Sequence, residues 1–168
     1  MLPTNPIMPN PYMLRALQEA EAAALRGEVP VGAVVVDPDS GEILAACGNR
    51  TEELNDPTAH AEMLAIRQAA AARGTTRLML CDLYVTLEPC AMCAGAISMA
   101  RLRRLYYGAA DPKGGAVDNG PHFFAQPTCH HRPEVYGGIA ERAAGEMLRD
   151  FFRARRPNGL GSSDDGAA

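Results

Sequence analysis

The chain has no tryptophan, and aromatic residues make up only 5% of it: five tyrosines and four phenylalanines. It also lacks a long apolar run. The longest small-apolar stretch, Cys90 to Ala100, falls far short of the about 20 residues that cross a bilayer, so no membrane association is expected. Met1 to Pro11 carries no positive charge, which argues against a secretory signal. The five cysteines, Cys47, Cys81, Cys90, Cys93 and Cys129, are odd in number and irregularly spaced, which argues against a disulfide framework. No segment repeats. What is left is one soluble, reduced, cytoplasmic domain, and 168 residues with 47% hydrophobic content suffice for a full core.

Charge is unevenly spread. The net charge is −4, but residues 1–60 carry three Arg against nine acids, while residues 101–156 carry ten Lys and Arg against six acids. A basic C-terminal third in an acidic chain suits an anionic partner held at one end, although a solvated, salt-bridged helix surface has the same composition.

Residues 1–10 are expected to be disordered, 11–156 to form the domain, and 157–168 to be a flexible tail. Apolar residues at helical spacing predict a helix over Tyr12–Arg26, ended by Gly27. The β-branched run Val31–Val36 predicts a buried strand, Asp37–Gly41 a turn, and Ile43–Gly48 an antiparallel return strand. Asp56-Pro57-Thr58 reads as a helix start, with Asp56 as N-cap, running to about Ala72 before Gly74. Leu83–Leu87 predicts a third strand, Ala91–Ala100 a helix, Leu105–Gly108 a fourth strand, Val135–Gly138 a fifth, and Ile139–Arg155 a last helix. Asp111–Arg132 reads as an ordered loop over a site. The expected fold class is α/β: a three-layer α/β/α sandwich with a mixed five-stranded sheet, because the first two strands form a hairpin.

Within this frame stand His60-Ala61-Glu62 and Pro89-Cys90-Ala91-Met92-Cys93. Cys90 and Cys93 are three apart, so on a first helical turn both sulfurs share one face, and the positive helix end favours thiolates. His60 and Glu62 would lie about 200° apart around a helix, so they can share a site only off the helix end. The geometry implied is two helix N-termini facing each other across one Zn2+. His60, Cys90 and Cys93 are the candidate ligands, and Glu62 is the candidate proton carrier. Cys-x-x-Cys alone could be a redox pair, and a structural zinc site could recruit Cys47, Cys81 or Cys129 as a fourth ligand. Glu62 has no use in such a closed site.

The paired half-motifs match the signature of zinc nucleobase deaminases. The chain resembles the bacterial tRNA-specific adenosine deaminases within the cytidine deaminase-like superfamily. The resemblance rests on Glu28–Val36, Gly48-Asn49-Arg50, Asp56–Glu62, Leu83–Ile97, Tyr107–Gly115, His131-Arg132 and Asp150–Arg153, and spans roughly residues 12–156. It implies a cytidine deaminase-like fold and hydrolytic conversion of adenosine to inosine at the wobble position of an anticodon stem-loop. It also implies one Zn2+ per subunit and a homodimer with its active site near the interface. By position, Asn49 would hydrogen-bond the target nucleoside beside Ala61, Asp111 would contact a neighbouring ribose, and Phe152 would pack near a flanking nucleotide. Lys113, Arg153 and Arg156 would meet phosphates. Asn49 could instead cap a turn, and Asp111 before Pro112 could be an ordinary turn residue. Phe151 and Phe152 must point apart on a helix, one into the core and one outward.

The chain departs from the family pattern at Val117–Phe124 and at His130-His131-Arg132. His122, His130 and His131 could bind RNA bases or a second metal, or be plain polar loop residues. Two other readings compete. One is a free-base or nucleoside deaminase acting on guanine, cytosine or cytidine through the same zinc site. The other is a non-catalytic zinc module. The Ala- and Met-rich helix Ala91–Met99 is a candidate dimer face, or equally a face buried against the sheet.

Overall fold

The computed structural model describes residues 9–156. The expectations of disorder for residues 1–8 and of a flexible tail for 157–168 lie outside the described residues. Asn10 does not belong to a disordered end: its side chain caps α1 (Pro11–Leu25), accepting from the N–H groups of Tyr12 and Met13 at 2.9 and 3.1 Å. Arg26 ends that helix, and Gly27 follows in the left-handed region at φ 86°.

Two strands follow, β1 (Gly32–Asp37) and β2 (Glu42–Gly48), then a short α2 (Thr51–Leu54) and α3 (Ala61–Arg73). Next come β3 (Asp82–Leu87), α4 (Ala91–Ala100), β4 (Arg104–Ala109), a 3-10 turn at Phe123–Ala125, β5 (Glu134–Tyr136) and α5 (Glu141–Arg155). The sheet order is β2-β1-β3-β4-β5. β1 pairs antiparallel with β2 and β3, whereas β3–β4 and β4–β5 are parallel. The sheet is therefore mixed and five-stranded, as the hairpin required.

Side chains alternate across β1. Ala33 and Val35 point into the core shared with α3 and α4, and Val34 and Val36 point toward Met13 and Ala16 of α1. On that second face α1 lies almost against the strand backbone. Ala16, Ala20 and Ala23 are wholly buried, and a Cβ built on Gly32 would sit 1.9 Å from the Ala16 carbonyl oxygen. α5 packs on the same face, where a Cβ on Gly108 of β4 would come within 3.0 Å of Ala144. The sandwich is closed by helices on both faces.

One expectation is corrected. The helix read from Asp56-Pro57 starts at Ala61 instead. The Asp56 carboxylate is spent on a local turn, accepting from the Thr58 N–H at 2.8 Å and hydroxyl at 2.7 Å. The N–H of Ala61 is capped from twelve residues away by Asn49 Oδ1, at 2.8 Å. The four-residue α2 was not anticipated. Its N-terminal N–H groups are accepted by the buried Glu28 carboxylate, at 2.8 Å to Glu53 and 3.3 Å to Glu52.

This topology decides where the site lies. β1 runs opposite to β2 and β3, so the ends of β2, β3 and β4 all fall on one rim. Gly48 there leads into Asn49, Leu87 into Glu88-Pro89-Cys90, and Ala109 into Asp111.

Candidate active site

His60 is the N-cap of α3, and Cys90 is the N-cap of α4. Both residues have extended backbone, at φ −72° and ψ 151° for His60 and φ −72° and ψ 174° for Cys90. Cys93 lies one turn into α4 and is fully buried. Two positive helix ends thus converge on one point, as the spacing implied. His60 escapes the helical divergence from Glu62 because it stands just before the first turn and not on it.

His60 Nδ1 lies 3.7 Å from Cys90 Sγ and 3.6 Å from Cys93 Sγ, and the three donor atoms all lie within 4.8 Å of one another. A tetrahedral ion with zinc–nitrogen and zinc–sulfur bonds near 2.0 and 2.3 Å needs N···S separations of about 3.5–3.6 Å. The donor set fits zinc in both identity and spacing. Among the described residues this is the one such cluster. Cys47, Cys81 and Cys129 stand apart as free thiols, so no fourth cysteine closes the site. Three protein ligands with an open position is the arrangement of a catalytic zinc.

The electrostatics agree. Cys90 is drawn down to about 4 by hydrogen bonds from Cys93 and His60. Cys93 is pushed well up by the neighbouring Cys90 and by burial, and His60 is raised by Cys90. Without a cation, only one of the two adjacent thiols ionises readily. A dication at their centre would stabilise both thiolates. Glu62, on the first turn of α3, is 4% exposed, and burial pushes its carboxyl up to about 7, against the opposing pull of His60.

The remaining site residues fall into two flanks. On one, Asn49 is buried, its Oδ1 holding the Ala61 N–H and its backbone oxygen accepting from Arg26 Nη2 at 3.2 Å. Its Nδ2 has no protein acceptor among the described residues. Ala61 is fully enclosed, and its N–H donates to Asn49 Oδ1. On the other flank a groove of about 1280 Å³ opens. It gathers Asp111, Lys113, Phe152, Arg153 and Arg156, together with Arg142, Arg149 and Arg155, which sequence reasoning did not single out. Leu87 and Ala109, at the ends of β3 and β4, form its inner wall. Phe151 is buried and Phe152 is 48% exposed, so Phe152 is the ring that faces outward. Asp111 is a turn residue as well. Its Oδ1 accepts from the N–H groups of Lys113 at 3.1 Å and Gly114 at 3.0 Å.

Sequence reasoning also missed two buried glutamates beside the rim. Glu28 secures α2, next to Asn49. Glu88 is 1% exposed and accepts from the loop that carries Asp111. The signal was present, since an acid wedged between an apolar strand and Pro89-Cys90 must be buried and therefore needs donors. Among the described residues the loop histidines belong to no cluster of potential metal ligands. His131 Nε2 pairs with the Leu102 carbonyl oxygen at 2.7 Å, and His122 and His130 are exposed. α4 turns Cys93, Ala94, Ile97, Ser98 and Ala100 inward, leaving Met99 82% exposed at its end.

Comparisons with known proteins agree with this geometry. The profile of the cytidine and deoxycytidylate deaminase zinc-binding region matches residues 9–109. A tRNA-specific adenosine deaminase from Agrobacterium fabrum is 61% identical over 145 residues, covering 86% of this chain and 94% of that protein. A solved structure from studies of A-to-I editing by tRNA:A34 deaminases at the wobble position superposes with a TM-score of 0.79 at 61% identity, covering 82% of this chain and 98% of that one. A guanine deaminase from Nitrosomonas europaea superposes with a TM-score of 0.74 at 26% identity, covering 86% of this chain and 85% of that one. Among the described residues no helix is long and apolar enough to cross a membrane. With its zinc-ligand set, its buried glutamate and these likenesses, the chain belongs to the tRNA-specific adenosine deaminase family, within the zinc-binding cytidine and deoxycytidylate deaminases.

Proposed function

We propose that this protein hydrolytically deaminates adenosine to inosine at the wobble position of tRNA anticodon loops. The observation that carries the reading is the three-ligand His60–Cys90–Cys93 set, with buried Glu62 beside it and an arginine-lined groove at the rim where β3 and β4 end. The chemistry bound zinc supplies is to bring the pKa of a water toward neutrality. Glu62 takes the proton released as the hydroxyl adds to C6 of adenine, and gives a proton to N1 of the ring. It then takes the proton of the new C6 hydroxyl and delivers it to the departing amine. The C6–N bond breaks, a carbonyl forms, and ammonia leaves.

The base must reach this centre from outside. An anticodon loop is already single-stranded, so turning its base inward costs little compared with opening a duplex. Asn49, with Oδ1 committed to Ala61, keeps its Nδ2 hydrogens for an acceptor on the nucleoside. Asp111 keeps Oδ2 for a ribose hydroxyl. Phe152 offers its outward ring to a flanking base, and Lys113, Arg153 and Arg156 offer charge to phosphates. One zinc per subunit, a homodimer and a cytoplasmic workplace complete the proposal. The last suits a chain whose described cysteines are all free.

A free-base deaminase would use the same centre but wants a closed pocket. The open, cationic groove favours a polyanion instead. Incubating the purified protein with an A-wobble tRNA and, separately, with free guanine, adenine and cytosine decides between them. Inosine in the tRNA with little ammonia from the bases is the expected result. Faster turnover of a free base than of tRNA would assign the chain to the other activity.

A further inference from the structure

The loop from Asp111 to Asn119 carries Asp111 and Lys113 to the groove, and one side chain clasps both of its ends. Glu88 Oε2 accepts from the Asp111 N–H at 2.8 Å and from Asn119 Nδ2 at 2.7 Å. Glu88 Oε1 accepts from the N–H groups of Val117, Asp118 and Asn119 at 3.2, 2.9 and 2.9 Å. The backbone doubles the clasp, with the Glu88 N–H donating to the Ala109 carbonyl and the Ala116 N–H to that of Pro89, at 2.8 and 2.9 Å. The loop closes tightly over the carboxylate: a Cβ on Gly115 would lie 2.5 Å from Glu88 Cδ.

Glu88 stands two residues before Cys90, so the same short segment bears the clasp and a metal ligand. We infer that Glu88 is a positioning residue for the RNA substrate, setting where the Asp111–Asn119 loop stands relative to the metal helix. The inference rests on the anticodon-loop reading above. Glu88 is enclosed and never touches the substrate. It acts through Asp111 and Lys113. Only a carboxylate can accept on both oxygens. A glutamine would present one acceptor oxygen and turn an NH2 group toward N–H donors, leaving part of the loop unheld. Apart from the clasp, the loop is held by the Asp111 turn, whose side chain and carbonyl accept from Lys113, Gly114 and Gly115, and by the Tyr107 hydroxyl donating to Asp118, none of which joins Asp111 to Asn119.

The test compares wild type, Glu88→Gln and Asn119→Ala on an anticodon stem-loop RNA, with zinc content and amide exchange measured on each. For Glu88→Gln, KM should rise roughly tenfold or more while kcat falls much less, because substrate placement is lost and the proton carrier is not. Zinc content should be unchanged. Exchange should quicken at Asp111 and Val117–Asn119, but not in β1 or β3. Asn119→Ala removes one donor and should shift KM in the same direction by less. It also decides the matter if Glu88→Gln does not fold. Unchanged KM in Asn119→Ala together with unchanged KM or misfolding in Glu88→Gln would overturn the inference. So would loss of zinc and kcat at constant KM, which would make Glu88 a support of the metal helix alone. A wild-type enzyme inactive on the RNA would instead sink the functional reading itself.

Discussion

At the scale of single residues, the site separates three candidate ligands from a carboxylate that stands outside their cluster. His60, Cys90 and Cys93 converge within 4.8 Å, and Glu62 is buried beside them without joining the cluster. Replacing Glu62 by Gln should therefore leave zinc content at the wild-type level and lower the deamination rate by about 10²–10⁴-fold. Metal analysis and inosine quantification on the same preparation check this. Loss of zinc would mean that Glu62 serves the metal and not the proton. These four residues were legible because their chemistry is local: a cap position and a first-turn spacing bring ligands together by helix geometry alone. What Glu28 and Glu88 hold was not legible. What an acid caps or clasps depends on which loop folds over it, and both glutamates bind N–H groups more than twenty residues away in the chain.

At the scale of elements, helix and strand identities followed from periodicity, and boundaries followed where the cap is local. Gly27 follows the end of α1 and Gly74, also left-handed, ends α3, both as read, whereas Asn10, read as part of a disordered end, caps the start of α1. The start of α3 was misread because its cap is supplied by Asn49 across the fold, while the nearby Asp56 closes a turn. The approach of α1 to the sheet is another tertiary matter. Gly32 faces the Ala16 carbonyl so closely that any Cβ must move the helix. Gly32→Ala should cost about 3 kcal/mol or more, as a core overpacked against rigid backbone does. Denaturant unfolding monitored by circular dichroism measures it. A change under about 0.5 kcal/mol, the range of a neutral surface substitution, would show that α1 shifts freely.

At the scale of the whole molecule, the sheet order brings the ends of β2, β3 and β4 to one rim, and a basic groove opens where β3 and β4 end. Charge reversal of Arg153 and Arg156 tests whether that groove holds RNA. Both belong to the groove, and Arg153 has only a loose ion pair with Asp150, at 3.6 Å between well-exposed groups. The double variant should bind tRNA more weakly. The slope of log affinity against log salt should flatten by roughly one for each phosphate that is no longer neutralised. Zinc content and thermal unfolding should stay unchanged. An unaltered salt slope would remove α5 from the RNA surface.

The amino-acid sequence alone determined the candidate zinc-ligand cluster, the carboxylate proposed as proton carrier, the mixed sheet and the outward position of one of two adjacent phenylalanines. Each of these depends on spacing within one element or on a local preference. Tertiary structure decided the rest: that Asn49 caps α3, that Ala61 is enclosed, that Asp111 and five arginines share one groove, and that Glu88 clasps the loop above them. These are contacts between segments distant in the chain. Their partners are chosen by strand order and loop closure, which no periodicity within either segment records.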